Sequence, residues 1–249
     1  MAVLAAAQCA VQPGDLAGNL ALHLALMQRA REQGVDFLLF PELSLTGYEP
    51  TLAHDLAQTA DTSLLAPLRA LAKDAGMTTV VGLPMRPADH GKPQIAAYVL
   101  HGDGSLSIYT KQYLHPGEEQ FFAPGTGGEL LSIAGLPVAL SVCADFTHAE
   151  HLAAAAAQGA QVYATGVLIG EAGYGRDSAL LQGHAQHHGM AILMANHGGP
   201  TGGWQAAGQS AFWDNHGRCV ASTTGLGNRL LILCERDGGW HGKELGVAV

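Results

Sequence analysis

Basic residues are scarce in this sequence: twelve Lys and Arg stand against twenty-one Asp and Glu, for a net charge of −9. A surface of that sign repels a phosphate backbone, which excludes nucleic acid as a partner. Long hydrophobic runs are missing as well. Nowhere do about 18 consecutive apolar residues occur, so no membrane-spanning helix is expected. The opening MAVLAAAQCA has no basic residue ahead of its apolar stretch and reads as a first strand rather than a leader, which points to a cytoplasmic protein. The cysteines number only four, Cys9, Cys143, Cys219 and Cys234, without a C-x-x-C pair. That spacing excludes a zinc knuckle and a thioredoxin-type motif and leaves reduced thiols. Thirteen histidines are present, with His148 near His151 and His184 near His187 and His188, but no H-E-x-x-H occurs and no metal site is expected.

What is plentiful is apolar material. Hydrophobic residues make up 48% of the 249 and charged ones 13%, enough for a large core. No linker-like stretch divides the chain, so residues 1–249 read as one domain.

The hydrophobic pattern alternates between strand and helix. After a strand over Val3 to Cys9, Asp15 is placed to cap a helix with Leu16, Leu20, Leu24 and Met27 at helical spacing, stopped by Gly34. A strand over Asp36 to Phe40 runs into the loop PELSLTGY. A leucine-rich helix (Leu64, Leu65, Leu68, Leu71) then ends at Gly76, and Thr78 to Leu83 returns as a strand. Ile95 to Leu100 and Leu106 to Thr110 flank the turn residues Gly102 to Ser105.

A similar order recurs in the second half. Strand Leu136 to Val142 is followed by a helix from about Thr147 to Gln158 and a strand over Gln161 to Thr165. Next come a helix over Arg176 to His188, a strand over Met190 to Ala195, and a hairpin between Gln209 and Ser222 turning at Asp214 to Gly217. Arg229 to Cys234 closes the chain. Strands alternating with helices imply mainly parallel sheets with antiparallel hairpins added, two sheets covered by helices.

Cys143 falls between a strand end and a helix start. Thr147 and Glu150 have the spacing of a capping box on that helix. A thiol placed there faces backbone N–H groups and the positive end of the helix dipole, which favour a thiolate and a developing oxyanion. The other three cysteines are expected to be buried by their strands.

Three separated blocks carry polar residues that the core pattern does not require. They are FPELSLTGY (Phe40 to Tyr48), YTKQYLHPGEEQFFAPG (Tyr109 to Gly125) and SVCADFTHAE (Ser141 to Glu150). With the later ANHGG and GQSAFWDNHGRCVA, they resemble the nitrilase, or carbon–nitrogen hydrolase, superfamily over nearly the whole chain. The resemblance implies a four-layer α-β-β-α sandwich that forms a homodimer or higher homo-oligomer. It implies Glu42 as general base, Lys111 as the catalytic lysine and Cys143 as nucleophile, with no metal or organic cofactor. A second glutamate is expected between the lysine and F-x-P-G. Spacing to Pro124 favours Glu118, with the adjacent Glu119 as the alternative.

The chemistry matches these residue types. An amide carbonyl is a poor electrophile, so its cleavage needs a strong nucleophile, a base to ionise it and a charge to hold the tetrahedral oxygen. Lys111 and the backbone N–H of Ala144 are the expected oxyanion donors. Tyr48, Ala144, Asp145, Phe146 and Trp204 are candidate substrate-binding residues, joined more weakly by Phe121 and Tyr174; Asp145 equally suits a helix cap. Ala144 and Thr147 stand where common small-amide hydrolases have an aromatic and an arginine, so the substrate pocket is expected to differ. C-A-D rather than C-W-E favours an amide over a nitrile. Nitrile hydrolysis or acyl transfer on the same triad and a non-catalytic metabolite-binding relative remain the rival functions.

Overall fold

The computed structural model describes residues 1–89 and 91–248. In chain order its elements are β1 (Val3–Gln8), α1 (Leu16–Glu32), β2 (Phe37–Leu39), α2 (Ala53–Leu56), α3 (Ala66–Ala75), β3 (Thr78–Met85), β4 (Gln94–Leu100) and β5 (Leu106–Thr110). The second half holds β6 (Leu131–Ile133), β7 (Leu136–Val142), α4 (Ala149–Ala157), β8 (Val162–Val167), α5 (Glu171–His188), β9 (Ala191–Asn196), β10 (Ala211–Trp213), β11 (Cys219–Ser222), β12 (Arg229–Arg236) and β13 (Gly239–Gly246).

These strands form a seven-stranded sheet, β13-β12-β1-β2-β3-β4-β5, and a six-stranded one, β11-β10-β9-β8-β7-β6. Each has a parallel centre, β1-β2-β3 in the first and β7-β8-β9 in the second, flanked by antiparallel neighbours. The central strands are apolar on both faces, as strands covered on two sides must be. Their period of two sorts the side chains: Leu4, Ala6, Phe37 and Leu39 pack between the sheets with Val162 and Ala164, whereas Ala5, Ala7 and Leu38 turn to the helix layer. Leu22, Leu26 and Met27 of α1 and Leu68 and Ala72 of α3 cover the first sheet. Leu152 of α4 and Leu181 and Ala185 of α5 cover the second. The result is the expected α-β-β-α sandwich.

Local signals explain most element ends. The Asp15 carboxylate accepts from Gly18 N at 2.9 Å and starts α1. Gly76, at φ +62°, ends α3 in the left-handed conformation. Three expectations are corrected. The Thr147–Glu150 capping box does not form: residues 143–147 wind into a 3₁₀ turn, Thr147 Oγ1 donates to Ala144 O at 2.7 Å, and α4 begins after His148 without a side-chain cap. Helix α5 begins at Glu171, five residues before Arg176, with two glycines in its opening turns. The chain does not close on β12, because β13 pairs along its whole length. Among the described residues, no helix is long and apolar enough to cross a membrane.

Candidate active site

Glu42 sits on the loop that leaves β2. That loop is wedged between the sheets because each contributes a glycine at the point of contact. A Cβ at Gly82 of β3 would collide with Leu43 N, and one at Gly166 of β8 would come within 2.6 Å of Phe40 O. The His197 ring donates from Nε2 to Glu42 O at 2.7 Å and so fixes the backbone from a third side. Burial pushes the His197 pKa down to about 4, so this ring is neutral at neutral pH.

Lys111 follows the last residue of β5 and is completely buried. Its Nζ donates to Glu42 Oε1 at 2.7 Å and lies 2.8–2.9 Å from both oxygens of Glu118. Of the two adjacent glutamates, Glu118 is the one that lies beside Lys111. Glu118 also accepts from Tyr48 Oη and His115 N, each at 2.8 Å, whereas Glu119 is exposed and receives Gly117 N. Burial alone lowers the lysine pKa, but Glu42, Cys143 and Glu118 outweigh it and the net shift is upward. Glu42 moves the other way from a normal carboxyl. Burial raises its pKa, Lys111 opposes, Glu118 adds to the rise, and the group settles at about 7.

Cys143 stands at the turn from β7 into the 3₁₀ turn, with φ at +43°. A non-glycine residue in that region is strained, and the strain projects the side chain from a sharp strand-to-helix corner. Its Sγ lies 3.9 Å from Leu168 O. Burial, followed by the nearby Glu42, raises the thiol pKa well above its usual value, with Lys111 pulling against them. The helix terminus that favours a thiolate is thus outweighed, and the resting thiol keeps the proton that a base was expected to remove. A base is needed, and Glu42 Oε2 is buried without a hydrogen-bond partner. Of the remaining cysteines, Cys9 is buried and Cys234 half-buried, but Cys219 is exposed on β11, contrary to expectation.

These groups open onto a cavity of about 390 Å³ lined by Glu42, Glu118 and Cys143. Tyr48, Ala144, Phe146 and Trp204 also line it, and Trp204 is half exposed at the rim, edge-on to His115. Asp145, Phe121 and Tyr174 are not among the lining residues. Asp145 in particular is completely buried, and internal donors occupy both of its oxygens, which corrects its assignment to substrate binding. Sequence reasoning missed the wall made by Leu168 to Gly173 with Arg176 and Asp177. The Gly-rich start of α5 hid it. Among the described residues, no three His, Cys, Asp or Glu side chains are grouped to hold a metal ion.

Comparison with known proteins places this geometry in context. The carbon-nitrogen hydrolase family model matches residues 3–237. Among curated relatives, the glutamine-dependent NAD(+) synthetase of Xylella fastidiosa (strain Temecula1) is 27% identical over 250 residues, 92% of this chain and 44% of that protein. The enzyme of that name from Mycobacterium tuberculosis (strain H37Rv) is 32% identical over 134 residues, 51% of this chain and 19% of its own. The chain thus spans less than half the length of these relatives. Among solved structures, an amidase from Nesterenkonia sp. AN1 superposes with a TM-score of 0.86 at 30% identity, covering 95% of this chain and 94% of that one. That structure, a Glu-to-Gln variant, carries acrylamide added to its active-site cysteine, and a Cys-to-Ala variant of the same amidase was solved with butyramide.

Proposed function

Because this chain belongs to the carbon-nitrogen hydrolase family, we propose that it hydrolyses the C–N bond of a small amide through a thioester on Cys143. The observation that carries the proposal is the site itself: a protonated thiol on a cavity wall, a buried carboxylate near neutrality with one oxygen unpartnered, and an ammonium bonded to that carboxylate.

Each group then has a task. Glu42 Oε2 takes the thiol proton as Sγ attacks the carbonyl carbon. The charge that develops on the carbonyl oxygen is stabilised by the Lys111 ammonium and by the N–H of Ala144 at the start of the 3₁₀ turn. Glu42 returns the proton to the departing nitrogen, and ammonia or an amine leaves a thioester on Cys143. Water, deprotonated by Glu42, attacks the thioester. The acid departs and the thiol is restored, so protons balance over the cycle.

The Nesterenkonia complexes support short aliphatic amides as the substrate class. A second class is suggested by the cavity's size and by Arg176 on its wall, whose Nε bonds to Asp177 of the same wall at 2.8 Å and whose terminal nitrogens remain for a ligand. A free carboxylate at the far end of an ω-amide such as glutamine pairs well with a guanidinium, and the curated relatives are glutamine-dependent. Ammonia release across short aliphatic amides, glutamine, carbamoyl amines and matching nitriles separates these classes. Release from an aliphatic or ω-amide, with nitriles inert, is the expected result. Silence across every amide would leave acyl transfer or a non-catalytic role.

A further inference from the structure

We infer that Asp145 is a positioning residue for both Cys143 and Lys111, held in place by a hydrogen-bond chain through Tyr109, His151 and Tyr163. Its role in turnover rests on the thioester chemistry proposed above. The four side chains are buried and come from four elements: the end of β5, the 3₁₀ turn, α4 and β8.

The Asp145 carboxylate joins the two halves of the site. Oδ1 accepts from Gln112 N at 3.0 Å and Tyr113 N at 2.9 Å, the two residues that follow Lys111. Oδ2 accepts from Val142 N at 2.9 Å, the residue before Cys143, and from Tyr109 Oη at 2.7 Å. One carboxylate therefore ties the backbone that carries the lysine to the strained corner that carries the nucleophile. Among the described residues, no other side chain accepts from backbone N–H groups of both segments.

The remaining bonds fix where Tyr109 points. Its one proton goes to Asp145, so its oxygen must accept from His151 Nε2, 2.8 Å away. A neutral ring protonated there has a bare Nδ1, and the Tyr163 hydroxyl lies 2.8 Å from it as the matching donor. Only this tautomer satisfies every bond in the chain. Tyr163 thus orients His151, His151 orients Tyr109, and Tyr109 completes the set of donors on Asp145.

The test uses three variants of the full chain: Tyr109→Phe, His151→Leu and His151→Gln. Two properties are read in each, amide turnover and the rate at which iodoacetamide alkylates Cys143, followed by peptide mass to separate it from exposed Cys219. Misplacement of reacting groups by an ångström or less costs up to about a hundredfold. Tyr109→Phe and His151→Leu should therefore lower kcat about ten- to a hundredfold with KM nearly unchanged, and should slow Cys143 alkylation in parallel. His151→Gln keeps an N–H for Tyr109 and an oxygen for Tyr163, and it should recover most of both rates. Wild-type kcat and alkylation in folded His151→Leu or Tyr109→Phe would overturn the inference. So would a His151→Gln as impaired as His151→Leu, which would reduce the ring to packing. If Tyr109→Phe does not fold, the two His151 variants decide. Should the wild type hydrolyse no amide, the proposed function fails, while the alkylation rates still test the positioning.

Discussion

Cys143→Ala should abolish turnover, by on the order of 10⁴-fold or more if the side chain is the nucleophile, while the fold and the cavity survive. The substitution removes one half-buried sulfur whose thiol is neutral at rest, so it leaves no buried charge without its partner, and Glu42 keeps its bond to Lys111. Alanine also tolerates the corner no worse than cysteine does, as both carry a Cβ at φ +43°. Substrate binding should therefore persist, and calorimetric titration with an amide the wild type turns over checks it. Wild-type hydrolysis by the alanine variant would remove cysteine chemistry from this protein altogether.

Glu42→Gln comes second in size. Glutamine retains the shape and an oxygen for Lys111 Nζ but cannot carry the thiol proton, and loss of a general base costs about 10²- to 10⁴-fold. The pH profile gives the sign. With the Glu42 pKa raised to about 7, chiefly by burial, the ionised base is depleted below that pH. Wild-type kcat/KM should thus fall roughly tenfold per pH unit below about 7, with an apparent pKa that belongs to the coupled Glu42–Lys111–Glu118 cluster. The residual activity of Glu42→Gln should lack this limb. Stability shows the same group from another side. Between pH 4.5 and about 7 the folded carboxyl binds more proton than the unfolded one, so its contribution to stability declines as pH rises through that window. The glutamine variant should lose this dependence. A wild-type profile flat down to pH 5 would show that Glu42 is not the base.

Glu42, Lys111 and Cys143, the residues proposed to carry the reaction, stood out because their positions are local: each lies at or just beyond a strand end, inside a short block whose polar residues the hydrophobic period does not explain. What the sequence hid was tertiary. Glu118 and Glu119 are neighbours in one turn, and the structure turns Glu118 inward after Gly117, at φ +98°, towards a lysine seven residues back. Asp145 does act as a cap, accepting from Val142 N at the start of the 3₁₀ turn, but it is not a substrate contact, and its other three donors come from residues more than thirty positions upstream. The balance of effects on the thiol is tertiary for a related reason. A helix terminus argues for a thiolate, but burial and two carboxylates from distant loops dominate over it. Strand β13, GWHGKELG, was missed because an exposed edge strand lacks the apolar pattern that marks the others.

The most direct test of the account is hydroxylamine partitioning with a turned-over amide. If Cys143 forms a thioester, hydroxylamine competes with water after ammonia has left. Hydroxamate should then appear in proportion to hydroxylamine, the free acid should decline to match, and a slow substrate should leave its acyl mass on the Cys143 peptide. Ammonia release with no hydroxamate at any hydroxylamine concentration, and an acyl mass found on another residue, would contradict it.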